Sequence, residues 1–264
     1  MKSLKEELAG SNKIPEVSKV TVGECPECRN GIMSNGQPER KRQLQKLVYA
    51  DGAEKMIPCV CNKERIVQQK QREINANRID TFSVIDEEYK HASWDDLELK
   101  SKDQQKAYIT VNKYIDNFES NLKSGRGILF QGSYGTGKTY ISAIIRREIL
   151  KKGYSVLFVG FPEYFQMMVD SQKTFKQDDK IFDMAVEADL LILDEVNADL
   201  NSWQQDELYK LVDKRKGKST IYTTNYKSDD FRSNVKLAQS FSRMMAKKDV
   251  VILNGTDYRI KGAF

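Results

Sequence analysis

Three glycines, two threonines and a lysine crowd into one short stretch, Gly132-Ser133-Tyr134-Gly135-Thr136-Gly137-Lys138-Thr139-Tyr140, directly behind the apolar run GILFQ. Gly132 to Thr139 fits the pattern G-x-x-x-x-G-K-[ST] of a phosphate-binding loop. Wrapping a triphosphate in main-chain N–H groups needs a backbone that Cβ atoms do not hold off. A helix opening directly behind the loop aims its unsatisfied N–H groups and the positive end of its dipole at the anion. Lys138 brings a full charge to the β- and γ-phosphates, and Thr139 offers its hydroxyl to Mg²⁺. The segment from Gly132 through Tyr140 is therefore the candidate ATP-binding loop.

Such a loop needs a downstream carboxylate at the end of a buried strand, and ADLLILDE supplies one. Asp194 is the candidate magnesium ligand, acting with Thr139. Glu195 is placed to orient the attacking water or take its proton. A third element, STIYTTN, ends in Asn225, a polar side chain for the γ-phosphate and the water, with Thr224 behind it. The candidate catalytic set read from these motifs is thus Lys138, Asp194, Glu195 and Asn225.

All four cysteines lie in the first quarter of the chain, as Cys25-x₂-Cys28 and Cys59-x-Cys61. Four thiolates suit a tetrahedral Zn²⁺, and Gly31 supplies a turn behind the first pair. A redox disulfide or unrelated buried thiols are the alternatives. The single histidine, His91, falls outside this segment, so a zinc set would be all cysteine.

The elements that must hold these residues follow from the pattern around them. NKERIVQQKQREINANRI is polar and free of Gly and Pro, and predicts a helix leaving the cysteine segment. Tyr108, Val111, Ile115, Phe118 and Leu122 recur at helical spacing and predict one amphipathic helix stopped at Gly125. Strands at GILFQG, SVLFVG, ADLLILDE, STIYTTN and DVVILNG alternate with helices at TYISAIIRREILKKG, PEYFQMMVDSQ and WQQDELYKLVDKRKG. This alternation predicts an α/β fold: a three-layer P-loop core with a mainly parallel sheet covered by helices. The expected domains are residues 1–75, a zinc-binding module, and residues 76–264, the ATPase core. Met167, Met168, Met244, Met245, Trp94 and Trp203 read as packing residues.

With 264 residues, 39% hydrophobic and 31% charged, the chain has the composition of a folded globular protein. No apolar run reaches the ~18 residues of a membrane span, and the start lacks a secretory h-region. A cytoplasmic protein without membrane contact is expected. The net charge of +5 permits a polyanionic partner without requiring one. The basic runs ERKRQLQK and NKERIVQQKQR are either DNA-phosphate contacts or solvated faces.

With these motifs in this order, residues 80–264 resemble the AAA+ ATPases of the bacterial and phage helicase-loader family (DnaC/DnaI-like), kin of the IstB-type transposition ATPases. The resemblance rests on YKHASWDDLE, RGILFQGSYGTGKTYISAII, DLLILDEVNADLNSWQQDELYKLVDKR, IYTTN and SFSRMMAKKDVVILNGTDYR. It implies a core without a C-terminal lid domain and ATP hydrolysis to ADP and phosphate. It also implies self-association through the ATPase domain, with Arg243 reaching a neighbour's γ-phosphate. A second arginine of the family pattern is Gln239 here, which leaves that contact to Arg243; Arg259 is a candidate nucleotide sensor. DnaI-like loaders carry an N-terminal zinc module that docks on the replicative helicase. The resemblance therefore implies a hexameric DnaB-type helicase as partner of the N-terminal module, single-stranded DNA as ligand and replication initiation as the setting. The compact size and layout point to a phage member. An IstB-like regulator of DNA transposition is the alternative function, and a nucleotide-gated adaptor without hydrolysis is disfavoured by the intact Lys138, Asp194 and Glu195.

Overall fold

The computed structural model describes residues 17–24, 43–57, 59–173 and 180–255. The chain divides into two compact units, Met1–Gln71 and Arg72–Phe264. In the first, strands β1 (Val17–Glu24), β2 (Gln43–Tyr49) and β3 (Glu54–Ile57) form an antiparallel sheet in that order. Val20 and Met56 both pair with Lys46, and a register shift between Thr21 and Gly23 marks a bulge in β1. Helix α1 (Val60–Asp80) is the polar helix expected behind the cysteines.

The second unit is built on a five-stranded parallel sheet. Its strands are β4 (Gly127–Gly132), β5 (Val156–Gly160), β6 (Leu190–Asp194), β7 (Ser219–Thr224) and β8 (Lys248–Leu253), in the spatial order β5-β6-β7-β4-β8. All five expected strands are present. Helices cover both faces, so the inner runs of β4, β5 and β6 read as unbroken apolar stretches instead of alternating ones, while β7 is buried but threonine-rich and β8 leaves Val250 and Ile252 exposed. Side chains at alternate positions nevertheless enter different cores. Leu191 and Leu193 join Leu157, Val159 and Tyr222 on one face, while Leu190 and Ile192 join Val156, Phe158 and Ile221 on the other. Each fully buried Leu or Ile contributes about 1.5–3 kcal/mol relative to exposure.

The helices of the second unit are α2 (Lys102–Asp116), α3 (Phe118–Ser124), α4 (Lys138–Lys151), α5 (Phe161–Lys173), α6 (Lys180–Glu187), α7 (Ser202–Lys214) and α8 (Val235–Met245). Residues of α2 and α4 fill one core, and residues of α5 to α8 fill the other. The single helix expected from Tyr108 to Leu122 is instead two, broken at Asn117. There the Asn117 side-chain amide donates to the Lys113 carbonyl at 2.8 Å, and the Asn121 amide donates to the Tyr114 carbonyl at 3.0 Å. Side chains that compete for main-chain carbonyls in this way favour an interruption. Gly125 ends α3 as expected, with a left-handed φ of 71°. Met168 and Met244 are core residues, and Trp203 tilts against Phe165 with centroids 5.5 Å apart. Among the described residues, no helix is long and apolar enough to cross a membrane.

The connection from β4 runs to the far edge of the sheet, and β6 and β7 lead back towards β4, with β8 beyond it. Such a reversal opens a crevice beyond the carboxyl ends of the strands, where ligands of open α/β sheets settle. Gly132, Asp194 and Asn225 all stand at those ends.

Candidate functional site

The loop behind β4 begins with Gly132, which pairs with Leu253 of β8. A Cβ here would stand 1.9 Å from the Leu253 carbonyl oxygen, and φ is +147°, so only glycine fits without moving the main chain. Thr136 Oγ1 donates to the Ser133 carbonyl at 2.9 Å and closes the loop on itself. Gly137, at φ 88°, caps α4 with no side chain bonding the first turn, and no acidic residue occupies that turn. The helix N-terminus therefore offers its N–H groups to the crevice. Lys138, 7% exposed, folds back and donates from Nζ to the Gly132 carbonyl at 3.0 Å and the Ser133 carbonyl at 2.6 Å.

Asp194 at the tip of β6 is held at both carboxylate oxygens. Thr139 Oγ1 donates to Oδ2 at 2.9 Å, and Thr223 Oγ1 donates to Oδ1 at 2.5 Å. Burial pushes the Asp194 carboxyl above its ordinary range, and the hydrogen bonds from Thr223 and Thr139 pull the other way. Glu195 follows at a left-handed φ of 57°, its N–H donating to Thr223 Oγ1 at 2.8 Å.

One cavity of about 410 Å³ joins these groups. Tyr134 to Ile141, Glu195, Thr223 and Asn225 line it, together with Tyr89, Asp96 to Leu99 and Gln104 from the segment ahead of and within α2. Asn225 Oδ1 is buried without a hydrogen-bond partner among the described residues. A triphosphate with its cation fits this donor set: an uncapped helix N-terminus, a lysine, a hydroxyl beside a carboxylate, and an orphaned polar atom. Also on the cavity lining, Tyr140 Oη donates to Asp96 Oδ2 at 2.7 Å and accepts from the Ser93 N–H at 3.2 Å, with its ring edge-on to Tyr89.

The structure thus gathers the loop, Asp194, Glu195 and Asn225 in one place. Thr224 stands behind Asn225, its hydroxyl donating to the Val196 carbonyl at 2.6 Å and accepting from the Tyr226 N–H at 3.1 Å. Thr223 is the threonine that faces the site; strand alternation, which sets Thr223 and Asn225 on one side, was the signal for it. The segment Tyr89–Leu99 carries no periodic pattern that would mark it in the sequence as part of the site. Arg243 lies on α8 and does not line its own chain's cavity. Its guanidinium carbon sits 4.3 Å from the Tyr209 ring centroid, and it donates to Tyr209 Oη at 2.8 Å and to Asp213 Oδ1 at 3.2 Å. Arg259, Cys25, Cys28 and Gly31 lie outside the described residues, as does the Cys61 side chain; Cys59 is buried.

A parallel sheet in this order, with a phosphate loop behind one inner strand and a carboxylate at the tip of another, is the AAA+ type of P-loop ATP-binding fold. Within that class the chain belongs to the family of IstB-like ATP binding proteins, whose family model matches residues 52–263. Curated relatives include the replicative helicase loader DnaC of Escherichia coli (strain K12), 24% identical over 151 residues, covering 56% of this chain and 60% of the relative. Another is the replicative helicase loader DnaI of Bacillus subtilis (strain 168), 22% identical over 181 residues, covering 67% of this chain and 56% of the relative. The chain therefore spans less than two thirds of the length of either. Among solved structures, the DnaC helicase loader matches with a TM-score of 0.56 at 24% identity, covering 64% of this chain and 99% of that one. DnaI matches with 0.56 at 22%, covering 68% and 98%. AMPPCP-bound DnaA from Aquifex aeolicus matches with 0.50 at 22%, covering 62% and 51%. At such identities the structural likeness establishes the fold. The expected α/β core and the expected kinship with DnaC and DnaI are both met.

Proposed function

We propose that this protein is an ATP-hydrolysing helicase loader that delivers a hexameric DnaB-type replicative helicase onto single-stranded DNA at replication initiation. The observation that carries the reading is the Thr139–Asp194 hydrogen bond of 2.9 Å, made on the wall of a cavity that Glu195 and Asn225 also line. Kinship with DnaC and DnaI supports the loader role.

In this reading the main-chain N–H groups of residues 132–140 hold the phosphates, and Lys138 adds its charge at the β- and γ-positions. Thr139 and Asp194 would hold Mg²⁺, which when bound neutralises charge building on the transferred phosphoryl group. Glu195 orients the attacking water and takes its proton, a contribution typically worth ~10²–10⁴ in rate. Asn225 contributes a fixed polar contact to the same water or to the γ-phosphate. Arg243, held by Tyr209 and Asp213 outside its own cavity, would reach the site of a neighbouring copy, where such arginines are worth ~10³–10⁵ in turnover. Arg259 would sense the bound nucleotide.

The N-terminal module of residues 1–75 would bind Zn²⁺ through Cys25, Cys28, Cys59 and Cys61 and grip the helicase, while residues 76–264 assemble and bind DNA. The spacing of the cysteines supports that metal site. Size-exclusion chromatography with light scattering, on full-length protein mixed with a hexameric helicase and ATP, tests the reading. Co-elution that needs ATP or its slow analogue is expected, and separate elution under all nucleotide conditions would end the loader assignment. The family description keeps IstB-like transposition control as a second reading. A clear preference for duplex over single-stranded DNA would favour it.

A further inference from the structure

Thr223 is 1% exposed, lies on β7, and takes part in the site only through one hydroxyl and one carbonyl. The hydroxyl donates its single proton to Asp194 Oδ1 at 2.5 Å and accepts the Glu195 N–H at 2.8 Å. The carbonyl accepts the Val196 N–H at 2.8 Å. Thr223 therefore binds three successive residues at the end of β6: the carboxylate of one and the main chain of the next two. The middle one, Glu195, has the left-handed φ of 57° that L-residues avoid. Without these contacts the turn at Glu195 has no evident reason to keep a disfavoured conformation.

We propose that Thr223 is a positioning residue for ATP hydrolysis: one hydroxyl both fixes the plane of the Asp194 carboxylate and holds Glu195 aimed into the cavity. The idea rests on the ATPase reading above. A hydroxyl suits the position, because a single atom there donates to a carboxylate and accepts from an amide at once. Thr139 holds the other Asp194 oxygen from the phosphate loop, at 2.9 Å. The carboxylate is thus braced from the loop on one side and from the neighbouring strand on the other. Thr224, the adjacent residue with the same side chain, points to the Val196 carbonyl and serves as an internal comparison.

The test compares wild type with Thr223→Val, which keeps the shape and removes the hydroxyl, and Thr223→Ser, which keeps the hydroxyl and removes the methyl. Two quantities are read: binding of a fluorescent ATP analogue titrated with Mg²⁺, and steady-state phosphate release. T223V should bind the analogue without Mg²⁺ as wild type does. Its half-saturating Mg²⁺ concentration should rise, and its kcat fall, each by about 10- to 100-fold. T223S should stay close to wild type in both. Wild-type values in T223V would overturn the proposal, and so would a loss in T223S equal to that in T223V, since it would assign the effect to packing. If the valine variant does not fold, Thr223→Ala carries the same comparison. Failure of the underlying reading shows separately, as absent turnover in wild type or equal turnover in Glu195→Gln, and the Mg²⁺ titration still tests the link to Asp194.

Discussion

Glu195 combines a catalytic assignment with a backbone conformation that opposes it, so two substitutions there should separate activity from stability. Glu195→Gln keeps the shape, the main-chain bond to Thr223 and the left-handed φ of 57°, and removes only the basic carboxylate. Its unfolding midpoint should match wild type, while kcat falls by ~10²–10⁴ with nucleotide affinity retained. Glu195→Gly removes the same carboxylate and also relieves the conformation. The left-handed region costs an L-residue roughly 1–2 kcal/mol, and glycine gives back about 0.5–1 kcal/mol through the entropy of its unfolded state. The balance is a stabilisation of up to about 1.5 kcal/mol. For a unit of this size each kcal/mol moves the midpoint by about 2–4 °C, so the glycine variant should melt at or above the wild-type midpoint, by up to about 6 °C, while being as inactive as the glutamine one. Phosphate release and calorimetric melting, measured without nucleotide, supply both values. A glutamine variant that retains most of its turnover would refute the role of the carboxylate. A glycine variant that melts below wild type would refute the account of the strained turn.

Gly132→Ala should be destabilising by at least about 2–3 kcal/mol, seen as a melting point lower by roughly 5–10 °C, because its Cβ would sit 1.9 Å from the Leu253 carbonyl oxygen in the β4–β8 pairing. Burial pulls the Lys248 ammonium down from 10.5 to about 8. Below about pH 8 the folded and unfolded chains both carry that proton, and between 8 and 10.5 only the unfolded chain does. Stability should therefore rise with pH through that window, by about 3 kcal/mol in denaturant titrations, and Lys248→Met should remove the rise and stabilise the protein at pH 7. Arg243→Ala should bind nucleotide normally yet turn over poorly. Adding Glu195→Gln subunits, which bring an intact Arg243, should restore phosphate release in mixtures, whereas no restoration would place Arg243 outside the neighbouring site.

The phosphate loop was legible because its chemistry is local: the glycines, Lys138 and Thr139 are fixed by consecutive sequence and by the apolar strand ahead of them. Strands β4, β5 and β6 were legible for a related reason, since strands buried on both faces stand out as apolar runs between helices; β7 is buried but rich in threonine, and β8 leaves Val250 and Ile252 exposed. Asp194 and Asn225 followed from their places at strand ends. Thr223 follows only once strand alternation sets it on the side of Asn225, because TTN presents two equivalent threonines until that side of β7 is assigned to the site. The cavity wall formed by Tyr89 and Asp96 to Leu99 is not legible in the sequence, because short 3₁₀ turns at Glu87–Tyr89 and Trp94–Asp96 leave no periodic signature. Helix α8 is not among the elements that the sequence pattern predicts, although Leu237, Phe241 and Met244 recur on one face and Asn234 caps it by accepting from the Lys236 N–H at 2.8 Å. The break at Asn117 lay hidden because apolar spacing continues across it while the interruption comes from a side chain bonding backward. In the first unit, β1 exposes Val20 and Val22, so hydrophobic alternation does not mark the strand.

Isothermal titration of the full-length protein with a slowly hydrolysed ATP analogue, in the presence of magnesium, bears most directly on the central claim that residues 132–140 cradle a triphosphate. Saturable heat with one nucleotide per chain is expected, weakened by chelating magnesium and lost in Lys138→Ala, since the ammonium supplies the one full positive charge in the loop. No heat with the wild-type protein, or heat undiminished in Lys138→Ala, would contradict it.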